Sequence, residues 1–367
     1  MRSRQWKYLC IDDERGDRLE AILDRLRRDG LSVELYAPAP FDDEVTLIAE
    51  SDADGLLLDL RLDDVPRSDG TRVKYRAVAL AQELRTRMTE GDIRPLPIVL
   101  WSVERKFRRS FSSDRTAHDL FDAVISKTDV SQDPAPVVGR LVALADDYPL
   151  IRELLKKRAT FWQRSLGLAS SQQGLLDPRV GMEILEGAPT HDFARYILRE
   201  LLESAGPLVD EQLLAARLGV SVASPGWVAV RSWIEPATYR GVFASGWVRW
   251  WWPEIEAMLR DLCPSAPFRT LTAEERVGVI KKTLKIRKLE PPVIPVGSTG
   301  TRYWYVCAAT QVPVDPVDAV LVESGDRRPW QDRVYVSMHA ALNRRASAKG
   351  LRIHPLEQSR IDELTRD

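Results

Sequence analysis

Four apolar runs in the first 130 residues end in groups that can handle a phosphoryl group. WKYLCI is followed by Asp12, Asp13 and Glu14; LLLD ends in Asp59; IVLWS ends in Ser102; VIS is followed by Lys127. If these runs are parallel strands of one sheet, their carboxyl ends share a crevice. Carboxylates crowded there repel one another, which favours a divalent cation between them. Mg2+ suits such a site, because it takes hard oxygen ligands and tolerates bound phosphate and water. With charge neutralised by the cation and Lys127, Asp59 can attack phosphorus as a carboxylate nucleophile. Lys127 can then pair with the phosphoryl oxygens and Ser102 can donate a hydrogen bond to one of them. The product is an aspartyl phosphate, which places new charge beside the strand-end loops.

The elements needed to position these groups are legible. Strands are expected at Trp6–Ile11, Leu31–Tyr36, Gly55–Leu60, Ile98–Trp101 and Val124–Ser126. Helices are expected at Glu14–Asp29, Asp42–Ser51, Val73–Arg87 and Thr116–Asp122, with a last one opening at Val137–Ala145. Leu19, Ile22, Leu23 and Leu26 repeat at helical spacing, and Gly30 stands where that helix should stop. The two prolines in Ser131–Val138 read as a loop into the last helix, whose periodicity continues past Asp147 through Leu150, Leu154 and Leu155. Five strands interleaved with helices specify a doubly wound parallel sheet.

This set of residues resembles the receiver domain of bacterial two-component response regulators, over about the first 147 residues. The resemblance rests on the Asp12–Asp13 pair, the third-strand Asp59, the fourth-strand Ser102 and the fifth-strand Lys127, in that order. It implies a phosphoprotein in signal transduction, with Asp59 as phosphoacceptor and a sensor histidine kinase or phosphotransfer protein as donor. It also implies Mg2+ held by Asp12, Asp13, Asp59 and the backbone carbonyl of Arg61. There are departures. Asp63 stands where the family usually has proline, and the glycine expected soon after comes at Gly70. Asp63 and Asp64 bring extra acid close to the site. Thr128 replaces the proline common after the lysine, and Val124 replaces the usual aromatic, with Phe121 the nearest substitute.

The remaining residues carry no family signature. DEQLLAARLGVS (210–221) followed by GWVAVRSWI suggests a helix-turn-helix within 205–235, but Pro225 and the lone cation Arg231 fit a DNA reader poorly. A helical hairpin packed in a core accounts for it better. GWVRWWWPEIE places Trp250, Trp251 and Trp252 in a row. On a helix these would point in different directions, so they mark a candidate partner surface or a helix sandwiched between domains. KKTLKIRK (281–288) reads as a solvated helix face, and YWYVC (303–307) as a buried strand.

Charge is uneven: net -6 over 1–147 and +5 over 148–367, neither extreme enough to name nucleic acid as a partner. No apolar run is long enough to span a membrane, no membrane partner is indicated, and three scattered cysteines suit a reducing cytoplasm. No phosphate-binding loop, zinc spacing or triad occurs, so an enzymatic role for the back half has no positive support. The expected organisation is a receiver (1–147), a helical region (148–235) and a Trp-rich α+β output region (236–367). The expected function is a response regulator controlling that output by conformational change. Its rivals are a DNA-binding regulator acting through 205–235 and a protein-interaction or phosphate-sink module that does not bind DNA.

Overall fold

The computed structural model describes residues 5–66, 70–102, 119–156, 161–168, 172, 174, 177, 179–180, 188–325 and 327–366. These fall into two compact units. One comprises Met1–Gln173, Pro178–Arg199 and Arg240–Trp247; the other comprises Gly174–Asp177, Glu200–Tyr239 and Val248–Asp367.

The first unit is built on five strands: β1 (Trp6–Ile11), β2 (Leu31–Tyr36), β3 (Gly55–Asp59), β4 (Ile98–Ser102) and β5 (Ala123–Ser126). All pairings are parallel and the order is β2-β1-β3-β4-β5, the doubly wound arrangement expected from sequence. The central strand β3 is buried at every position, which is why it reads as an unbroken apolar run and not as an alternating one.

Helices α1 (Asp17–Arg28), α2 (Phe41–Glu50), α3 (Ala77–Glu90), α4 (Lys127–Gln132) and α5 (Pro134–Leu155) belong to the same unit. In α1 the stripe Leu19, Ile22, Leu23 and Leu26 is buried, with acids in the first turn and arginines in the last, as the helix dipole favours. Gly55 opens β3 because the Tyr8 ring fills the space a side chain would need: a Cβ there would lie 2.4 Å from it. The Tyr8 hydroxyl crosses to α5, donating to the Leu141 carbonyl at 2.7 Å.

Two sequence expectations need correction. The stretch Ser131–Val138 is not a loop. Asp133 alone separates α4 from α5, accepting the Ala135 N–H at 3.3 Å while Pro134 takes the first helical position. In the expected helix Thr116–Asp122, residues 116–118 lie outside the described residues, and Asp119–Asp122 is a turn into β5.

At the amino ends of β4 and β5 a buried network ties the sheet to α3 and α5. Arg85 pairs with Asp122 at 2.7 Å and donates to the Leu120 and Leu96 carbonyls. Asp122 also accepts from the Ile98 N–H at 2.7 Å and from the Tyr148 hydroxyl. The helix Thr190–Tyr196 belongs to this unit too, with Phe193 and Ala194 buried.

The second unit packs short helices and two-stranded ladders. Helix Glu211–Leu218 is capped by Asp210, which accepts the Leu213 N–H at 2.8 Å, and it stops at left-handed Gly219. Helix Trp227–Trp233 follows, and Trp227 and Val230 join Leu214, Ile255 and Ile280 in one core. Helix Ala273–Leu284 starts on a reciprocal Thr272–Glu275 capping box. The basic run 281–288 straddles its end: Lys281 and Lys282 are on the last turn, Lys285 is left-handed, and all five cations are exposed. In the YWYVC segment only Tyr305–Val306 is strand, paired with Pro313–Val314, although Tyr303 and Cys307 are fully buried.

Candidate functional site

The strand ends bring the expected residues together. Asp12, Asp13 and Asp59 are all buried, and each offers a carboxylate oxygen within 4.8 Å of the others. Lys127, the first residue of α4, lies between two of them. Its ammonium is 2.7 Å from Asp12 Oδ2, 3.0 Å from Asp59 Oδ1 and 3.5 Å from Glu14 Oε2. Three further carboxylate oxygens are held by backbone. Asp12 Oδ1 accepts the Glu14 N–H at 3.0 Å, Asp59 Oδ2 accepts the Arg61 N–H at 3.0 Å, and Asp13 Oδ2 accepts the Val65 N–H at 2.7 Å.

The electrostatics follow from crowding. Burial and the neighbouring Asp59 charge push the Asp12 carboxyl up to about 7, against the opposing pull of Lys127. Burial acts to lower the Lys127 ammonium, but Asp12 and Asp59 outweigh it and hold it above its ordinary value. Three carboxylates therefore face one ammonium, leaving excess negative charge in a buried place. A hard cation with oxygen ligands would neutralise it, so this donor set fits Mg2+.

The extra acids after β3 are largely offset locally. The Arg61 guanidinium contacts Asp63 at 2.8 Å and Asp64 at 2.7 Å, and Arg76 lies 3.6 Å from Asp63. Arg61 thus brings its own charge to the segment whose main chain caps Asp59. The run of two acids with an arginine two residues upstream was visible in sequence; that they would pair with each other was not.

Ser102 ends β4 one residue past Trp101, the register partner of Asp59. It is buried, and its hydroxyl has no hydrogen-bond partner among the described residues. Thr128, in place of proline, donates its N–H to the Ser126 side chain at 3.1 Å, so Ser126 caps α4 and fixes the backbone that carries Lys127. The Phe121 substitution does not hold. Phe121 is buried in the core before β5, whereas Val124 occupies the exposed strand position. An open pocket of ≈ 790 Å3 adjoins the acids, lined by Asp13, Glu14, Arg18, Asp64, Lys127 and Thr128 among others. Arg18 on its wall carried no sequence signal of its own.

Trp250, Trp251 and Trp252 do not form a helical surface patch. Trp250 and Trp251 are a strand antiparallel to Leu208–Val209, and Trp252 begins the next helix. Strand alternation sends Trp250 and Trp252 into one core and leaves Trp251 against Tyr239 at 5.8 Å. All three are at most 8% exposed, so a row that a helix could not bury is buried by a strand. In the segment 205–235, Arg231 is 3.6 Å from Glu211, and Val228, Ala229 and Ser232 near it are exposed.

Solved structures similar to this chain include response-regulator proteins, matched over roughly its first two-fifths and not over its C-terminal region. A response regulator receiver domain (CheY-like) from Methylobacillus flagellatus is 18% identical, covering 36% of this chain and 95% of its own, with a TM-score of 0.26. A two-component response regulator from Clostridium difficile gives the same identity, coverages and TM-score. A RitR mutant is 15% identical over 40% of this chain, with a TM-score of 0.30; this chain spans 55% of its length. No family model matches the chain, and no curated protein matches it.

Proposed function

We propose that residues 1–147 act as a phosphoacceptor receiver in a two-component or phosphorelay pathway, with 148–235 and 236–367 as the output it controls. The observation that carries this reading is the buried Asp12–Lys127–Asp59 cluster with Asp13 beside it, at the carboxyl ends of a parallel sheet of order β2-β1-β3-β4-β5. In this reading Asp59 Oδ1 attacks the phosphorus of a phosphohistidine on a sensor kinase or phosphotransfer protein. The new O–P bond forms as the N–P bond breaks, and the imidazole leaves with the electron pair.

Asp12, Asp13 and the Arg61 carbonyl would hold Mg2+ with Asp59. The bound cation would screen the phosphoryl oxygens from the acids. Lys127, already beside Asp59 Oδ1, follows the phosphoryl oxygens. The Arg61 N–H keeps Asp59 Oδ2 fixed, so one carboxylate oxygen is presented for attack. The buried Ser102 hydroxyl, without a described partner, is free to reorient toward a phosphoryl oxygen, and that movement would bias a two-state loop. Sensor kinases hand on phosphate inside the cell, so this reading puts the protein in the cytoplasm; among the described residues no helix is long and apolar enough to cross a membrane.

The test is intact-mass measurement after incubation with Mg2+ and acetyl phosphate, with Asp59→Asn beside the wild type. A gain of one phosphate in wild type alone is expected. No gain, together with no binding of beryllofluoride, would leave a fold that docks partners without accepting phosphate.

A further inference from the structure

The second unit contains a pocket unrelated to the acidic cluster. It has a volume of ≈ 340 Å3 and is walled by Trp252, Trp304 and Phe268, with Arg260, Arg269 and Glu256 at its rim. That volume is near the lower end for small-ligand clefts, roughly 300–1,000 Å3. It suits one compact molecule better than a protein segment.

The walls select a flat ring. Trp252 and Trp304 meet edge to face, with centroids 5.5 Å apart and planes at 86°. A planar guest stacked on one indole would therefore present its edge to the other.

The charge selects an anion. Arg260 and Arg269 are exposed, and neither has an ion-pair partner among the described residues. Two further guanidinium groups lie over the same aromatic rings: Arg217 is 4.6 Å from the Trp252 centroid, and Arg276 is 5.7 Å from Trp304 and 5.8 Å from Phe268. Arg217 is paired with Asp332, but Arg276 is fully buried and donates only to backbone carbonyls, those of Phe268, Arg269, Arg217, Tyr303 and, at 3.5 Å, Ala216. No carboxylate bonds to it, although the Asp315 and Glu275 charges act on it. The same bonds hold the Phe268–Arg269 rim in place. Glu256 is the one carboxylate among the lining residues, and it can accept from sugar hydroxyls.

We propose that this pocket binds a nucleotide, with its base against Trp252 and Trp304 and its phosphate on Arg260 and Arg269. Arginine is suited to that phosphate because its planar fork matches two oxygens at once. The proposal stands apart from the receiver reading, since no residue of it belongs to the Asp59 site.

The full-length chain should be titrated by calorimetry and tryptophan fluorescence with AMP, GMP, CMP and UMP, and with adenosine and inorganic phosphate as controls. Saturable binding of at least one nucleotide with indole quenching is expected, with adenosine and phosphate each weaker by about tenfold or more. Arg260→Gln and Arg269→Gln should each weaken the nucleotide by about tenfold and leave adenosine unchanged, with circular dichroism checking the fold. Absence of saturable binding by all four nucleotides would overturn the proposal. So would equal losses for nucleotide and adenosine in the arginine variants, because the arginines would then act only on structure. A single-stranded oligonucleotide binding far more tightly than any mononucleotide would also overturn it, in favour of a strand.

Discussion

At the residue scale, Lys127 holds the acidic cluster together when no cation is bound. Its ammonium is within 3.0 Å of both Asp12 and Asp59, and all three side chains are at most 6% exposed. Replacing it with methionine would leave two buried carboxylates facing each other. Breaking a buried pair in this way costs about 3–5 kcal/mol at the upper end, less the relief from protonating an acid. Asp12, already raised to about 7, is the acid that would take the proton. Lys127→Met should therefore lower the urea midpoint strongly in chelator and recover much of the loss in millimolar Mg2+. Asp59→Asn should be far milder, because Lys127 keeps Asp12. If Mg2+ failed to restore Lys127→Met, the three acids would not form a cation site. The chemistry here was legible because Asp12, Asp13, Asp59 and Lys127 are each the charged end of an apolar run, a pattern that survives without structure. The Arg61 pairing with Asp63 and Asp64 was not, because sequence shows the charges but not which way three neighbouring charged side chains turn.

At the element scale, Arg85, Asp122 and Tyr148 join α3, the starts of β4 and β5, and α5 in one buried network. Arg85→Met would strand the Asp122 carboxylate and should cost about 3–5 kcal/mol. Arg85→Met combined with Asp122→Asn should recover part of that, so a double-mutant cycle in urea should show strong coupling; additive losses would deny it. Beside this network His191 is buried, and its imidazole is pushed down to about 3 by burial and by the charges of Arg85 and Arg195. The folded state then binds fewer protons than the unfolded one between pH 6.5 and 3. Its contribution is fully present above 6.5 and is lost as pH falls. Between pH 7 and 5 the loss should be about 2 kcal/mol. His191→Gln should flatten that part of the profile, and an unchanged slope would place the acid sensitivity elsewhere. The five strands and most helices of this unit were readable because their apolar periods are unbroken. The junction of α4 and α5 was missed because the prolines in Ser131–Val138 suggest a loop, whereas Pro134 sits at a first helical position where its missing N–H costs nothing. The tryptophan row was misread for the opposite reason. Three large residues in succession say nothing about period, and only the pairing with Leu208–Val209 makes Trp250–Trp251 a strand.

At the scale of the whole molecule, the compact unit built on the parallel sheet takes in chain far downstream of it. A cut after residue 147 would pass through α5, which runs without a break from Pro134 to Leu155. The same compact unit takes in Pro178–Arg199, where Phe193, Ala194, Ile197 and Leu198 are at most 2% exposed. It also takes in Arg240–Trp247, a segment pinned by several independent contacts. The Val242 N–H donates to the Ser165 carbonyl at 2.7 Å, the Phe243 N–H donates to Asp147, and Arg140 lies over the Trp247 ring at 5.6 Å. Gly246 is required there, since a Cβ would come within 2.8 Å of the Arg140 backbone. Both flanks of that segment, Tyr239 and Val248, belong to the other unit, while the segment itself is a strap lying on α5 within its own unit. A fragment ending at 156 would uncover the apolar faces that these segments bury, at about 1.5–3 kcal/mol for each large side chain exposed. Its thermal midpoint should fall by roughly 10 °C or more relative to a fragment ending at 250, which restores both segments. Gly246→Val in the full chain should lower the stability of this unit without touching the acidic cluster, and acetyl phosphate labelling of Asp59 should survive it. Equal midpoints for the two fragments would mean that the sheet and its first five helices stand alone, and that the strap contributes nothing to the unit on which it lies.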